Sequence, residues 1–214
     1  MQGLNIVEYN TESEQEIHDK IADLTARLDE AIEQQQGGII GYQLTYDAAA
    51  INAIYTMRKK AVGLLGNTAG NHKPVAFAED TAVPPQNLAD FILEFRALLD
   101  SHGLQYGMFG HVDAGVLHVR PALDMCDPEQ EKQLRLISDE VVKLTAKYGG
   151  LMWGEHGKGY RSEYGPEFFG EALFTELRKI KTAFDPFNRV NPGKICTPID
   201  SSEQLVSVDD VKRG

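Results

Sequence analysis

Two stretches of this chain place imidazoles and carboxylates at spacings that chemistry can use. The first is Gly110-His111-Val112-Asp113-Ala114-Gly115-Val116-Leu117-His118. If Ala114-Gly115 is a two-residue hairpin turn, with Gly115 taking positive φ, then Asp113 faces Val116, Val112 faces Leu117 and His111 faces His118. Directly opposed side chains on one face have Cβ atoms ~5 Å apart, so the two imidazoles could share a metal ion. The bland alternative is an incidental cross-strand histidine pair. The second stretch is Gly154-Glu155-His156-Gly157-Lys158-Gly159-Tyr160-Arg161. Its glycines let the backbone turn sharply and approach a ligand. Glu155 could complete a two-histidine, one-carboxylate metal site with open positions. His156 alternates to the other side and suits a general base, because its unperturbed pKa lies near neutrality. The alternative there is a glycine-rich turn with a surface salt bridge. Arg58, Lys73, Lys158 and Arg161 are candidate carboxylate clamps, arginine being the better bidentate partner, although most arginines are solvated surface groups.

Positioning such groups requires a scaffold, and the hydrophobic pattern supplies one. Leu4–Glu8 and Ile39–Tyr46 read as strands. Ile17, Ile21, Leu24, Leu28 and Ile32 recur at helical spacing, and Asp47 caps a helix to about Lys60. Gly63–Pro74 is loop-like, and Val75–Val83 is strand-like up to Pro84-Pro85. Asn87 opens an amphipathic helix through Phe91, Phe95 and Leu99. Leu104–Val112 and Val116–Leu123 form a hairpin. Asp127-Pro128 starts a helix, with Pro128 at its first position, and Leu151–Gly154 is a short strand. A last helix covers about Glu167–Thr182. The polar residues from Ser201 are expected to be partly disordered. Strands joined by helices, with one tight hairpin, imply an α+β domain: a mostly antiparallel sheet with helices packed on one face. The expected organisation is one domain over residues 1–200 and a polar tail over 201–214.

Composition narrows the partners. The 214 residues carry a formal net charge of -11, which argues against nucleic acid but not against a small anion held by a few arginines in a cleft. Two cysteines, Cys126 and Cys196, form neither a CxxC pair nor a zinc-finger spacing. No apolar run approaches the ~20 residues needed to span a bilayer. A cytoplasmic location, at most peripheral to a membrane, is expected.

Together the segments Gly110-His111 through His118, Gly154-Glu155-His156-Gly157 and Asp185-Pro186 to Asn191-Pro192-Gly193-Lys194 resemble the C-terminal domain of the FAD-linked oxidases. This is the group of D-lactate, glycolate and D-2-hydroxyglutarate dehydrogenases within the vanillyl-alcohol-oxidase superfamily. Glu79-Asp80-Thr81-Ala82-Val83-Pro84 and Ile54-Tyr55-Thr56-Met57-Arg58 also look like family segments. The resemblance implies a ferredoxin-like cap domain and a 2-hydroxyacid dehydrogenase. It implies that His111, His118 and Glu155 hold a divalent metal, zinc above all. It makes His156 the base that takes the hydroxyl proton, and Arg58 a carboxylate clamp aided by Lys158 or Arg161. Asn191 and Lys194 would lie near FAD. The form Gly-His-Val-Asp-Ala-Gly-Val-Leu-His-Val-Arg-Pro looks like a large bacterial subgroup that adds an iron–sulfur region, for which this chain lacks the cysteine clusters.

Departures from the family pattern touch the substrate: Val116 stands where relatives carry an asparagine, and Ala78 where they carry a lysine. A Gly-rich pyrophosphate-binding segment is absent from the first forty residues. The resemblance therefore implies that an N-terminal FAD domain is missing and is this chain's main partner, beside a small 2-hydroxyacid and a potential homodimer mate. It implies that the chain is inactive alone. Two readings from other classes stand beside it, a metal-dependent hydrolase, which no HExxH helix supports, and a non-catalytic interaction domain.

Overall fold

The computed structural model describes residues 3–64, 70–157 and 159–211. Residues 65–69 of the expected glycine-rich loop, and the candidate clamp Lys158, lie outside the described residues. The chain divides into two compact units, Met1–Lys59 and Lys60–Gly214.

In the first unit, α1 (Glu14–Glu33) starts at Ser13, whose side chain accepts from the Glu16 N–H. This relieves one of the unpaired amides of a helix start. Asp47 does the same for α2 (Ala48–Leu64), its carboxylate accepting from Ala50 N at 2.8 Å. The expected strands over Leu4–Glu8 and Ile39–Tyr46 are not formed. A strand exists only by pairing, and no paired strand occurs among the described residues of this unit. Its long-range ties are side-chain ones, such as the Tyr55 hydroxyl donating to the Glu8 carboxylate.

The second unit is built on an antiparallel sheet of β1 (Lys73–Pro74), β2 (Thr81–Ala82), β3 (Tyr106–His111) and β4 (Val116–Leu123). All three shorter strands pair with β4, and among the described residues no other two of these strands pair. Three helices accompany it: α3 (Leu88–Ser101), α4 (Pro128–Lys147) and α5 (Gly165–Phe184). Asp127 caps α4 by accepting from Glu129 N, with Pro128 in the first turn. On β4 the pleat sends Leu117, Val119 and Leu123 into one core with Phe91 and Phe95 of α3 and Ile137 of α4. His118 and Arg120 consequently take the opposite face. The α+β expectation with an antiparallel sheet holds.

One detail of the sheet shapes the site. Lys73 and Pro74 pair with Leu123 and Ala122, whereas Thr81 and Ala82 pair with Leu117 and Val116. From Pro74 to Thr81 the chain takes seven steps; from Ala122 to Leu117, β4 takes five. Two extra residues are therefore absorbed opposite the middle of β4. The expected continuous strand over Val75–Val83 is instead two short strands with a bulge between them, a device that re-aims side chains.

The tail also differs from expectation. Val208 is 1% exposed and belongs to the core. Ser207 and Asp210 form a reciprocal capping box on a short turn. Arg135 of α4 donates to Glu163, Ser207 and Asp209, tying the tail down. Val211 packs against the same core, so the apolar residues spaced through this polar run dock it.

Candidate functional site

The hairpin brings the two histidines together by a register other than the simplest one. Val112–Ala114 form a 3-10 turn closed by Gly115 at φ 69, so the loop has four residues instead of two. His111 pairs with Val116, and His118 pairs with Phe109. The histidines are diagonal neighbours, not directly opposed. The shift is by two residues, which preserves the face each side chain occupies. Their ring centroids are 5.8 Å apart, edge to face.

Glu155 meets both. Its carboxylate oxygens lie 3.7 Å from His111 Nε2 and 3.5 Å from His118 Nε2. His156, expected on the other side of the chain, instead folds back. Its ring stacks on His118 at 4.7 Å and 14°, its Nε2 is 4.0 Å from Glu155 and its Nδ1 3.6 Å from Glu79. The chain here is a turn rather than a continuing strand: only Leu151 makes a bridge, to Ala82.

These spacings suit a cation. Two ligand atoms bonded at ~2.1 Å in a tetrahedral site sit about 3.4 Å apart, close to the separations between the two Nε2 atoms and Glu155. They are long for hydrogen bonds. The other ring nitrogen of His118, Nδ1, is buried without a hydrogen-bond partner among the described residues. Burial first, and the adjacent His156 next, push the His118 pKa below its ordinary value. This favours the neutral ring, the form that ligates a metal. His118 is 3% exposed, while His111, Glu155 and His156 are 36%, 41% and 47% exposed, so the cluster is open on one side. One ligand atom each from Asp80, His118, Glu155 and His156 lie within 4.8 Å of one another.

Glu79 and Asp80 were not among the site residues read from the sequence. Both sit in the bulge. Asp80 takes φ 68 and is fully buried. Glu79 is held by Arg120 at 2.8 Å. The available signal was an acidic pair inside a strand pattern, where such residues are depleted.

Arg161 is 5% exposed, and burial pushes its pKa down. It donates to the Glu79 carbonyl. With Phe77, Glu79, His156 and Val208 it lines a cavity of about 130 Å³. Asn191 and Lys194 are exposed on a turn anchored at both ends. Asp185 accepts from Lys181 and from the Arg189 and Val190 amides, and Ser162 accepts from Ile195 N. Arg58 lies exposed on α2 in the first unit.

Residues 1–195 match the family model for FAD linked oxidases, C-terminal domain. This chain belongs to that family. Relatives of this FAD-linked oxidase domain include a D-2-hydroxyglutarate dehydrogenase of Pantoea ananatis, 68% identical over 214 residues, which is 100% of this chain and 21% of the relative. A protein of the same name from Escherichia coli is 65% identical over the same shares. A D-lactate dehydrogenase of Anaerostipes hadrus is 33% identical over 119 residues, 55% of this chain and 25% of the relative. The domain thus spans about a fifth of the length of these two D-2-hydroxyglutarate dehydrogenases.

Proposed function

We propose that this domain is the substrate- and metal-binding part of a longer FAD-dependent dehydrogenase that oxidises a D-2-hydroxyacid, D-2-hydroxyglutarate in particular. The observation that carries the reading is the approach of His111 Nε2 and His118 Nε2 to the one carboxylate of Glu155, with His156 stacked alongside. The names of the relatives that match over the whole chain support the substrate.

His111, His118 and Glu155 would hold the metal, with zinc suited to two imidazoles and a carboxylate. When bound, the metal supplies a Lewis acid for substrate oxygens and FAD supplies the hydride acceptor. The chain's own residues do the rest. His156, half-exposed beside the cluster, takes the hydroxyl proton at Nε2, and Glu79 near Nδ1 orients the ring. Arg161 faces a cavity about large enough for a short carboxylate-bearing arm, and so takes the substrate's second carboxylate. Arg58 and Lys158 are assigned to carboxylate binding on the sequence resemblance. Asn191 and Lys194, exposed on their anchored turn, face FAD held mainly by another part of the longer protein.

Leu173, Ile180 and Phe184 of α5 are 53%, 58% and 89% exposed, an apolar stripe of the kind that marks an interaction surface. It supports contact with the flavin-bearing part. A homodimer, a cytoplasmic or membrane-peripheral location and an iron–sulfur cluster elsewhere in the longer protein belong to the same proposal. The two cysteines form no disulfide, in keeping with a reducing compartment. Among the described residues, no helix is long and apolar enough to cross a membrane.

The test is anaerobic reduction of FAD in the full-length protein by D-2-hydroxyglutarate, D-lactate and glycolate, with metal content measured beside a His111→Ala, His118→Ala double variant. Reduction by one of these acids and about one equivalent of metal, lost in the variant, are expected. A double variant that keeps the metal and the wild-type rate would overturn the site; no reduction by any 2-hydroxyacid would overturn the activity.

A further inference from the structure

Asp80 has an unusual position for a carboxylate. It is 0% exposed, yet no lysine or arginine forms an ion pair with it among the described residues. Its hydrogen bonds come from backbone amides instead, while the buried Arg161 guanidinium acts on it electrostatically from farther away. Oδ1 accepts from Glu155 N at 2.9 Å, and Oδ2 accepts from His156 N at 2.8 Å and Glu155 N at 3.0 Å. Its own carbonyl accepts from Gly154 N at 2.9 Å. Every one of these donors belongs to the three-residue turn that carries Glu155 and His156. Hydrogen bonds to a charged acceptor are about twice as strong as neutral ones, and in a buried setting their loss leaves the donors unsatisfied.

We propose that Asp80 is a positioning residue, which through the Gly154–His156 backbone sets the Glu155 carboxylate against His111 and His118 and the His156 ring against His118. The inference rests on reading this cluster as a metal centre. Three features carry it. The left-handed backbone of Asp80, φ 68, is costly for a non-glycine residue, and the bulge that imposes it aims the carboxylate at this turn. The carboxylate is one of the four groups within 4.8 Å of one another, so its negative charge also favours a cation there. And the fit is close: a Cβ added to Gly154 would lie 3.3 Å from Asp80 Oδ1. Groups that orient metal ligands without touching the metal change its affinity about 10- to 100-fold when removed.

The experiment uses the full-length protein and two variants, Asp80→Asn and Gly154→Ala. The second keeps every ligand and the Asp80 charge but crowds both the carboxylate and the Val116 methyls. Zinc affinity is read by competition with a chromophoric chelator, and amide hydrogen exchange is read peptide by peptide. Asp80→Asn is expected to weaken zinc binding about 10- to 100-fold and to speed exchange at Glu155 and His156, while peptides of α3 and α4 keep wild-type protection. Gly154→Ala is expected to weaken zinc several-fold with the same local signature, and it decides the matter should Asp80→Asn fail to fold. Wild-type zinc affinity in a folded variant whose 154–157 peptide has loosened would overturn the proposal, as would loosening spread evenly over the core. A wild-type protein that binds no zinc at all overturns the metal reading instead, a result distinct from either.

Discussion

The His118 and His156 imidazoles lie nearly parallel, 14° apart with centroids at 4.7 Å, but one is buried and the other half-exposed. Two rings in contact are thus given different work by their surroundings. Replacing His118 by alanine is expected to abolish metal retention. Replacing His156 by alanine should leave metal content near wild type and lower kcat roughly 10²- to 10⁴-fold, the usual contribution of a general base. Metal analysis and steady-state kinetics on the same two preparations check this, and loss of metal from both variants would mean that His156 is a ligand.

Arg161 should govern the choice between acids with one and two carboxylates. Arg161→Met is expected to lower kcat/KM for D-2-hydroxyglutarate roughly 10- to 100-fold, in line with the loss of a charge-assisted hydrogen bond of about 1.5–3 kcal/mol, and to change D-lactate turnover far less. Equal losses for both acids would assign Arg161 to holding Glu79 rather than substrate.

Asp185 makes an acid-dependent contribution to stability. The Lys181 ammonium first, then the Val190 and Arg189 amides, lower its pKa from 3.8 to about 2. A depressed carboxylate stabilises the fold fully above its ordinary pKa and loses that effect as pH falls to the folded value. The window is therefore from about pH 4 down to about pH 2. Asp185→Asn should lower the thermal midpoint at neutral pH, and the gap from wild type should close across that window. A gap independent of pH would contradict the assignment.

Gly115 cannot be replaced without moving the hairpin. It takes φ 69, and a Cβ there would sit 1.9 Å from the Val83 carbonyl oxygen. The positive φ alone costs about 1–2 kcal/mol for alanine, and the collision adds to it. Gly115→Ala should lower the melting midpoint and, because the loop carries His111 at one end, weaken metal binding with it. A variant as stable as wild type would show that the loop yields freely.

Val208 tests the docking of the tail. Val208→Ala is expected to cost up to roughly 1.5–3 kcal/mol, the scale of burying such a side chain, in denaturant unfolding followed by tryptophan fluorescence. A negligible change would mean that the tail contributes no core.

Much of this was legible in the sequence. Helix α4 announces itself through Asp127, Pro128 and the spacing of Leu134, Ile137, Val141 and Leu144, because caps and periodicity act locally. His111, His118 and Glu155 were legible as a set, and the wrong two-residue turn did not spoil it because the error was even in a lattice of period two. What was not legible depends on partners distant in sequence. Leu4–Glu8 and Ile39–Tyr46 alternate like strands, but alternation cannot supply a strand to pair with. Asp80 looks like one more acidic residue until the ladder against β4 fixes where the two surplus residues fall. His156 was placed on the far side because its segment was read as extended, whereas the amides bound by Asp80 turn it back.

The bulge opposite β4 has a further consequence for how such a domain responds to change. Its flanks, Lys73-Pro74 and Thr81-Ala82, are each locked to β4, so the ladder on either side fixes where the residues between them lie. Phe77, Glu79 and Asp80 all lie in that interval: Phe77 and Glu79 line the cavity, while Phe77 also packs in the core and Asp80 is fully buried. A change there therefore acts at once on the core, through Phe77, and on the turn that carries Glu155 and His156, through Asp80. The fold thereby ties the packing of the domain to the geometry of its candidate site in one short stretch of chain.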